Sequence, residues 1–101
     1  MYHVEQTIEY TFKTFSSPHA LTRQQQRGLP IPVLNLLLEY GAETHDHHGG
    51  LIYHFTKKSL KIIEHVNSEL YKLCTSFKNA YIVEKDGYFV TVGHRYKKIK
   101  H

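Results

Sequence analysis

His19, Arg23 and Arg27 follow one another at intervals of four residues. In a helix that spacing stacks side chains one turn apart, so an imidazole and two guanidiniums would share one face. A guanidinium fork takes a phosphate bidentately, and an imidazole titrates near neutrality and can move a proton. Together these types suit a phosphodiester site; the plain alternative is a solvated polar face with His19 hydrogen-bonded near a helix end. A second basic group, Lys57, Lys58 and Lys61, falls where a helix is expected to begin. Positive charge opposes the helix dipole there, so these lysines are either an anion site beside free backbone N–H groups or simply exposed side chains. A third group, Thr91-Val92-Gly93-His94-Arg95-Tyr96, places a hydroxyl, an imidazole, a guanidinium and a phenol at the end of an expected strand. Rigid strands deliver polar side chains to an edge in this way, and Arg95 and Tyr96 read as phosphate or base contacts.

Other chemistries find less support. His45-Asp46-His47-His48 carries donor types that suit zinc, nickel or copper. Its members are adjacent in a glycine-flanked stretch with no second cluster of ligands elsewhere, so neither a dedicated metal nor a cofactor is expected. The lone Cys74 lies on the apolar face of an expected helix and reads as a core thiol. There is no phosphate-binding Gly-x-x-x-x-Gly-Lys loop, no Gly-x-Gly-x-x-Gly and no Gly-x-Ser-x-Gly, which argues against nucleotide-dependent and serine-hydrolase chemistry. A helix-turn-helix reader of DNA needs polar side chains on its second helix, and Ile31 to Tyr40 offers only Asn35 and Glu39.

The elements that must position these groups follow from local chemistry. Ser17 can cap a helix with Pro18 at its first position, running through Arg27 and ending at Gly28. A second and more buried helix fits Ile31 to Tyr40, stopped by Gly41. Thr44 to Gly50 reads as a loop and Leu51 to Phe55 as a short strand. Leu60, Ile63, Val66, Leu70, Leu73 and Phe77 recur at intervals of three and four, predicting one long amphipathic helix from about Thr56 to Cys74. Ala80 to Glu84 and Tyr88 to His94 flank Asp86-Gly87, a type I′ hairpin signal. A regular two-residue hairpin sets Val83 against Val90 and Tyr81 against Val92 on a core side. It sets Ile82 against Thr91 and Glu84 against Phe89 on the other, where Gly93 and Arg95 extend a working surface. The first fifteen residues are rich in β-branched and aromatic types and suggest a strand or a surface arm. The expected fold is α+β: two N-terminal helices and one long amphipathic helix packed on a small, mainly antiparallel sheet that ends in a β-hairpin.

Composition sets the outer bounds. The chain has 101 residues, enough for one core, and only 6 Gly, 3 Pro and 1 Cys, which excludes collagen-like, low-complexity and disulfide-framework classes. Its longest apolar run, near residues 29 to 38, falls short of the ~20 residues that cross a bilayer. No apolar signal-peptide core is visible, so a single cytoplasmic domain without membrane attachment is the expectation. Of 13 Lys and Arg against 9 Asp and Glu, Arg95, Lys97, Lys98 and Lys100 lie in the last eight residues. The remainder balances, so the basic character belongs to a tail at residues 94 to 101. Such a tail suits phosphates, anionic lipid or an acidic partner, and equally a merely solubilising terminus.

The ordered set His19-x3-Arg23-x3-Arg27-Gly28, an apolar helix ending in Gly41, Tyr53-x-Phe55, a helix and Asp86-Gly87-x3-Thr91-x2-His94-Arg95 resembles a widespread set of small bacterial single-domain proteins of uncharacterised function. These resemble in turn, more distantly, the RelE and BrnT toxins of toxin–antitoxin systems. That resemblance implies a RelE-like fold, an antitoxin-like protein partner and metal-independent endoribonuclease action, in which the 2′-hydroxyl of RNA attacks the adjacent phosphate. His19 or His94 would then be base or acid. Arg23, Arg27 and Arg95 would stabilise charge, with Tyr53 or Tyr96 stacking on a base. Lys57, Lys58, Thr91, Lys97 and Lys98 would help hold the substrate. The body of the chain, balanced in charge, is less basic than RelE-type toxins. Two other classes stand beside this one: a non-catalytic RNA- or DNA-binding module marked by steep salt dependence, and an interaction protein, such as a homodimer, pairing through an exposed sheet edge.

Overall fold

A computed structural model of the chain describes residues 12 to 95. Residues 12 to 15 form a helical turn, not the expected strand. Phe12 is fully buried and stacks on Phe89 at 5.7 Å, while Lys13, Thr14 and Phe15 are exposed. The rest of that expected strand, and residues 96 to 101 of the basic tail, lie outside the described residues.

Helix α1, Pro18–Gln26, begins as its sequence dictates. Ser17 is extended at the cap and its hydroxyl accepts from the Ala20 N–H at 3.1 Å. The helix closes in a Schellman arrangement: Gly28 takes a left-handed φ of 62°, its N–H donates to the Gln25 carbonyl, and the Leu29 N–H donates to that of Gln24. Helix α2, Ile31–Tyr40, buries Val33, Leu34, Asn35 and Leu37. It stops at Gly41 for a steric reason, since a Cβ there would lie 2.5 Å from the Leu37 carbonyl oxygen and 3.0 Å from that of His54.

Strands β1 (Ala42–His45), β2 (Gly50–His54), β3 (Ala80–Lys85) and β4 (Tyr88–His94) form an antiparallel meander in that order. Between β2 and β3 lie α3, Lys57–Val66, and α4, Ser68–Ser76. Helix α2 packs on β2, β3, α3 and α4, whereas α1 packs on β4. The core between the layers is apolar, with Leu34, Leu37, Ile63, Ile82 and Val92 fully buried. The fold is thus α+β, as the element order predicts.

Three further expectations need correction. The single long helix is two, because Asn67 leaves helical geometry and its side chain accepts from the N–H groups of Glu69 and Leu70. The apolar spacing runs through this break, which is why periodicity alone reads one helix; Val66, part of that pattern, is exposed. Second, Thr44 and His45 belong to strand β1, not to a loop that starts at Thr44. Asp46 shortens the turn: its Oδ1 accepts from the N–H groups of His48 and Gly50, and its own N–H donates to the Gly50 carbonyl.

The third correction concerns the hairpin register. Asp86 and Gly87 both have positive φ, 51° and 84°, as a type I′ turn requires. Lys85 faces Tyr88 and Glu84 faces Phe89, but a bulge then leaves Val90 unmatched. Beyond it Val83 faces Thr91, Ile82 faces Val92 and Tyr81 faces Gly93. The buried side is therefore Ala80, Ile82, Phe89 and Val92, while Tyr81, Val83 and Val90 are half-buried. The extra residue is what brings Phe89 and Val92, three apart, to the same face.

Asn67 carries the break between α3 and α4. Replacing it with Ala should cost about 1 kcal/mol and lower the thermal midpoint by about 4–8 °C, with Asn67→Asp close to wild type in the same melt.

Candidate functional site

Helix α1 is fixed to β4 at both ends. At its start the Ser17 N–H donates to the Phe89 carbonyl at 2.9 Å, and Ser16 bridges Phe89 in parallel register. At its end His94 Nε2 lies 3.2 Å from the Arg27 carbonyl oxygen. A carbonyl only accepts, so Nε2 carries the hydrogen and donates. The His94 ring also stacks on Phe77 at 6.1 Å. Arg95 continues beyond β4, half-buried, its N–H donating to the Asn79 carbonyl at 2.8 Å.

The ends of α1 and β4 thus meet through His94 and the Arg27 backbone, with Arg95 next along the chain. Arg23 stands one turn back, half-buried, and its Nε is buried without a hydrogen-bond partner. Leaving a guanidinium N–H unsatisfied is costly, and this one is also shut off from solvent. His19 is exposed in the first turn of α1. At ~1.5 Å per residue it lies about 12 Å along the axis from Arg27, with Arg23 between them. This ridge is longer than one phosphate group. Its imidazoles differ: His19 is exposed, whereas the Nε2–H of His94 is engaged.

Other expected residues fall elsewhere. The bulge splits the anticipated working surface: Thr91 and Gly93 lie on the sheet face away from the helices, and Glu84 lies on the helix side with Phe89 and Ile82. Tyr53 is half-buried on that helix side. Its hydroxyl donates to Glu84 Oε1 at 2.6 Å and its ring meets Phe89 edge-on at 6.4 Å. Burial, the bond to Glu84 and the nearby Glu43 carboxylate raise its phenol above the ordinary value. Lys57 and Lys58 are exposed at the start of α3, behind the reciprocal cap that Thr56 and Ser59 make. They stand on the helix pair packed on α2 and not on the α1–β4 ridge. Tyr96, Lys97 and Lys98 lie outside the described residues.

Two polar arrangements escape the sequence reading. Tyr53, Glu84 and Glu43 meet across three strands, and buried His54 bonds through Nε2 with Thr44 Oγ1 at 2.9 Å. Both depend on pairings of residues far apart in the chain or across an unanticipated strand. Cys74 is buried as expected, and desolvation pushes its thiol up to about 11. Among the described residues no group of three or more His, Cys, Asp or Glu side chains is placed to hold a metal ion. Nor is any helix among them long and apolar enough to cross a membrane. Compared with family profiles, curated proteins and solved structures, the chain matches none.

In the histidine-rich turn, the N–H groups of His48 and Gly50 hold the Asp46 carboxyl below its ordinary value of 3.8. These bonds favour the ionised form, so their contribution is full above 3.8 and is lost as pH falls through the lowered value. Amide shifts of His48 and Gly50 should therefore titrate together with a midpoint below 3.8; a midpoint at the ordinary value would contradict the assignment.

Proposed function

We propose that this chain acts on RNA through the α1–β4 ridge, as a RelE/BrnT-like endoribonuclease that needs no metal. The observation that carries the reading is the run of helix α1 that sets half-buried Arg23 one turn from the exposed imidazole of His19 and one turn from the exposed Arg27. In this reading His19 takes the proton from the attacking 2′-hydroxyl, and the phosphate becomes a phosphorane whose added negative charge Arg23 holds. Arg27 and Arg95 engage neighbouring phosphates. The 2′-oxygen bonds to phosphorus, the bond to the 5′-oxygen breaks, and that oxygen needs a proton. His94 supplies it only as an imidazolium that has released the Arg27 carbonyl and moved along the ridge toward Arg23.

That last requirement favours a second reading, RNA binding without turnover. The Nε2–H of His94 is already spent on a backbone carbonyl, leaving His19 as the exposed imidazole of the ridge.

End-labelled RNA in excess EDTA, with and without translating ribosomes, separates the two. Cleavage to cyclic-phosphate ends, reduced about 10²–10⁴-fold by His19→Ala and lost in folded Arg23→Ala, is the expected outcome. Binding that weakens steeply with salt, without cleavage in either assay, selects the second reading. Neither binding nor cleavage would sink both.

A further inference from the structure

The two edges of the sheet are treated differently. The outer edge of β4 is closed by Ser16 and Ser17. Among the described residues β1 is paired on one side only, by β2. Its backbone polarity can be read from the turn. The Asp46 N–H donates to the Gly50 carbonyl, so Asp46 and Gly50 are a hydrogen-bonded pair. Antiparallel ladders alternate bonded and non-bonded pairs. Thr44 therefore directs its N–H and carbonyl toward Ile52, while Glu43 and His45 direct theirs outward, away from β2. Both are exposed.

We infer that β1 is a homodimer edge, pairing antiparallel with β1 of a second copy about a two-fold axis at Thr44. In that register Thr44 faces the Thr44 of the other copy as a non-bonded pair, and Glu43 faces His45 on either side as a bonded pair. Outward N–H and carbonyl groups meet their complements, and a carboxylate lies directly across from an imidazole twice. An imidazole offers a donor to that carboxylate in either protonation state. Sliding the partner by two residues either way sets Glu43 against Glu43 or His45 against His45, juxtaposing like groups where the matched register pairs unlike ones. The charges that guard a lone edge against unrelated strands become complementary toward the same strand turned around. The interface is isologous, and it joins two four-stranded sheets into one. The surface is separate from the α1–β4 ridge.

Light scattering on the whole chain, up to about 1 mM protein, populates even a millimolar dimer. The mass should rise from 11.9 kDa toward about twice that value with concentration. Glu43→Lys should return it to the monomer mass, because lysines then face imidazoles. The double variant Glu43→Lys, His45→Glu should restore it, with thermal melts confirming that both fold. Amide exchange gives the register: Glu43 and His45 should slow on dimerisation, while Thr44, already bonded to Ile52, stays unchanged. A monomer at every concentration overturns the inference. So does a dimer that survives Glu43→Lys, or one that forms without protecting those two amides.

Discussion

Strict alternation along β4 would place Phe89 and Val92 on opposite faces of the sheet, yet both are buried against the same helix layer. The bulge at Val90 resolves this, and much of the structure depends on it. It lets Phe89 stack on Phe12 while Val92 lies opposite Ile82, and the carbonyls beside it receive the Ser17 N–H and hydroxyl. That contact sets the start of α1 on β4. Once the start is fixed, nine residues of helix and a Schellman turn bring the Arg27 carbonyl to His94. A one-residue irregularity in a hairpin thus decides where the cationic side chains of α1 stand relative to the strand end.

Polar groups inside the protein are satisfied by long-range pairing. The Phe12 N–H donates to buried Asn35 Oδ1, Tyr53 donates to Glu84, and His54 pairs with Thr44. Such bonds gain only about 1 kcal/mol net when made but cost more when one partner is removed. They therefore act as registration pins between α2, the sheet and the segment before α1. Against this background the bare Nε of Arg23 stands out.

The two sides of the sheet order differ in charge as well as in bonding. The β4 side carries Arg23, Arg27 and Arg95, and the β1 side carries Glu43 and Asp46 with the histidines of the turn. A phosphate chain and a second copy of the protein would thus meet different edges. In those two proposals, binding at one edge leaves the other open.

Ser17-Pro18, Gly28, Gly41 and Asp86-Gly87 mark their helix ends and turn because caps, glycines and type I′ residues act within a few positions of backbone. The spacing of His19, Arg23 and Arg27 on one helix is local in the same sense. What needed the tertiary structure was everything that depends on a distant partner. Ala42–His45 carries little strand signal of its own and becomes β1 by pairing with β2. The α3–α4 break at Asn67 is hidden by an apolar period that continues across it. The bulge that puts Ile82 and Thr91 on opposite faces goes with contacts to Phe12 and Ser17, more than 70 residues away. The engagement of His94 by Arg27, which decides which imidazole is available, has the same origin. Local rules fix backbone conformation, but which side chains meet is set by burial and register, and these are properties of the assembled layers.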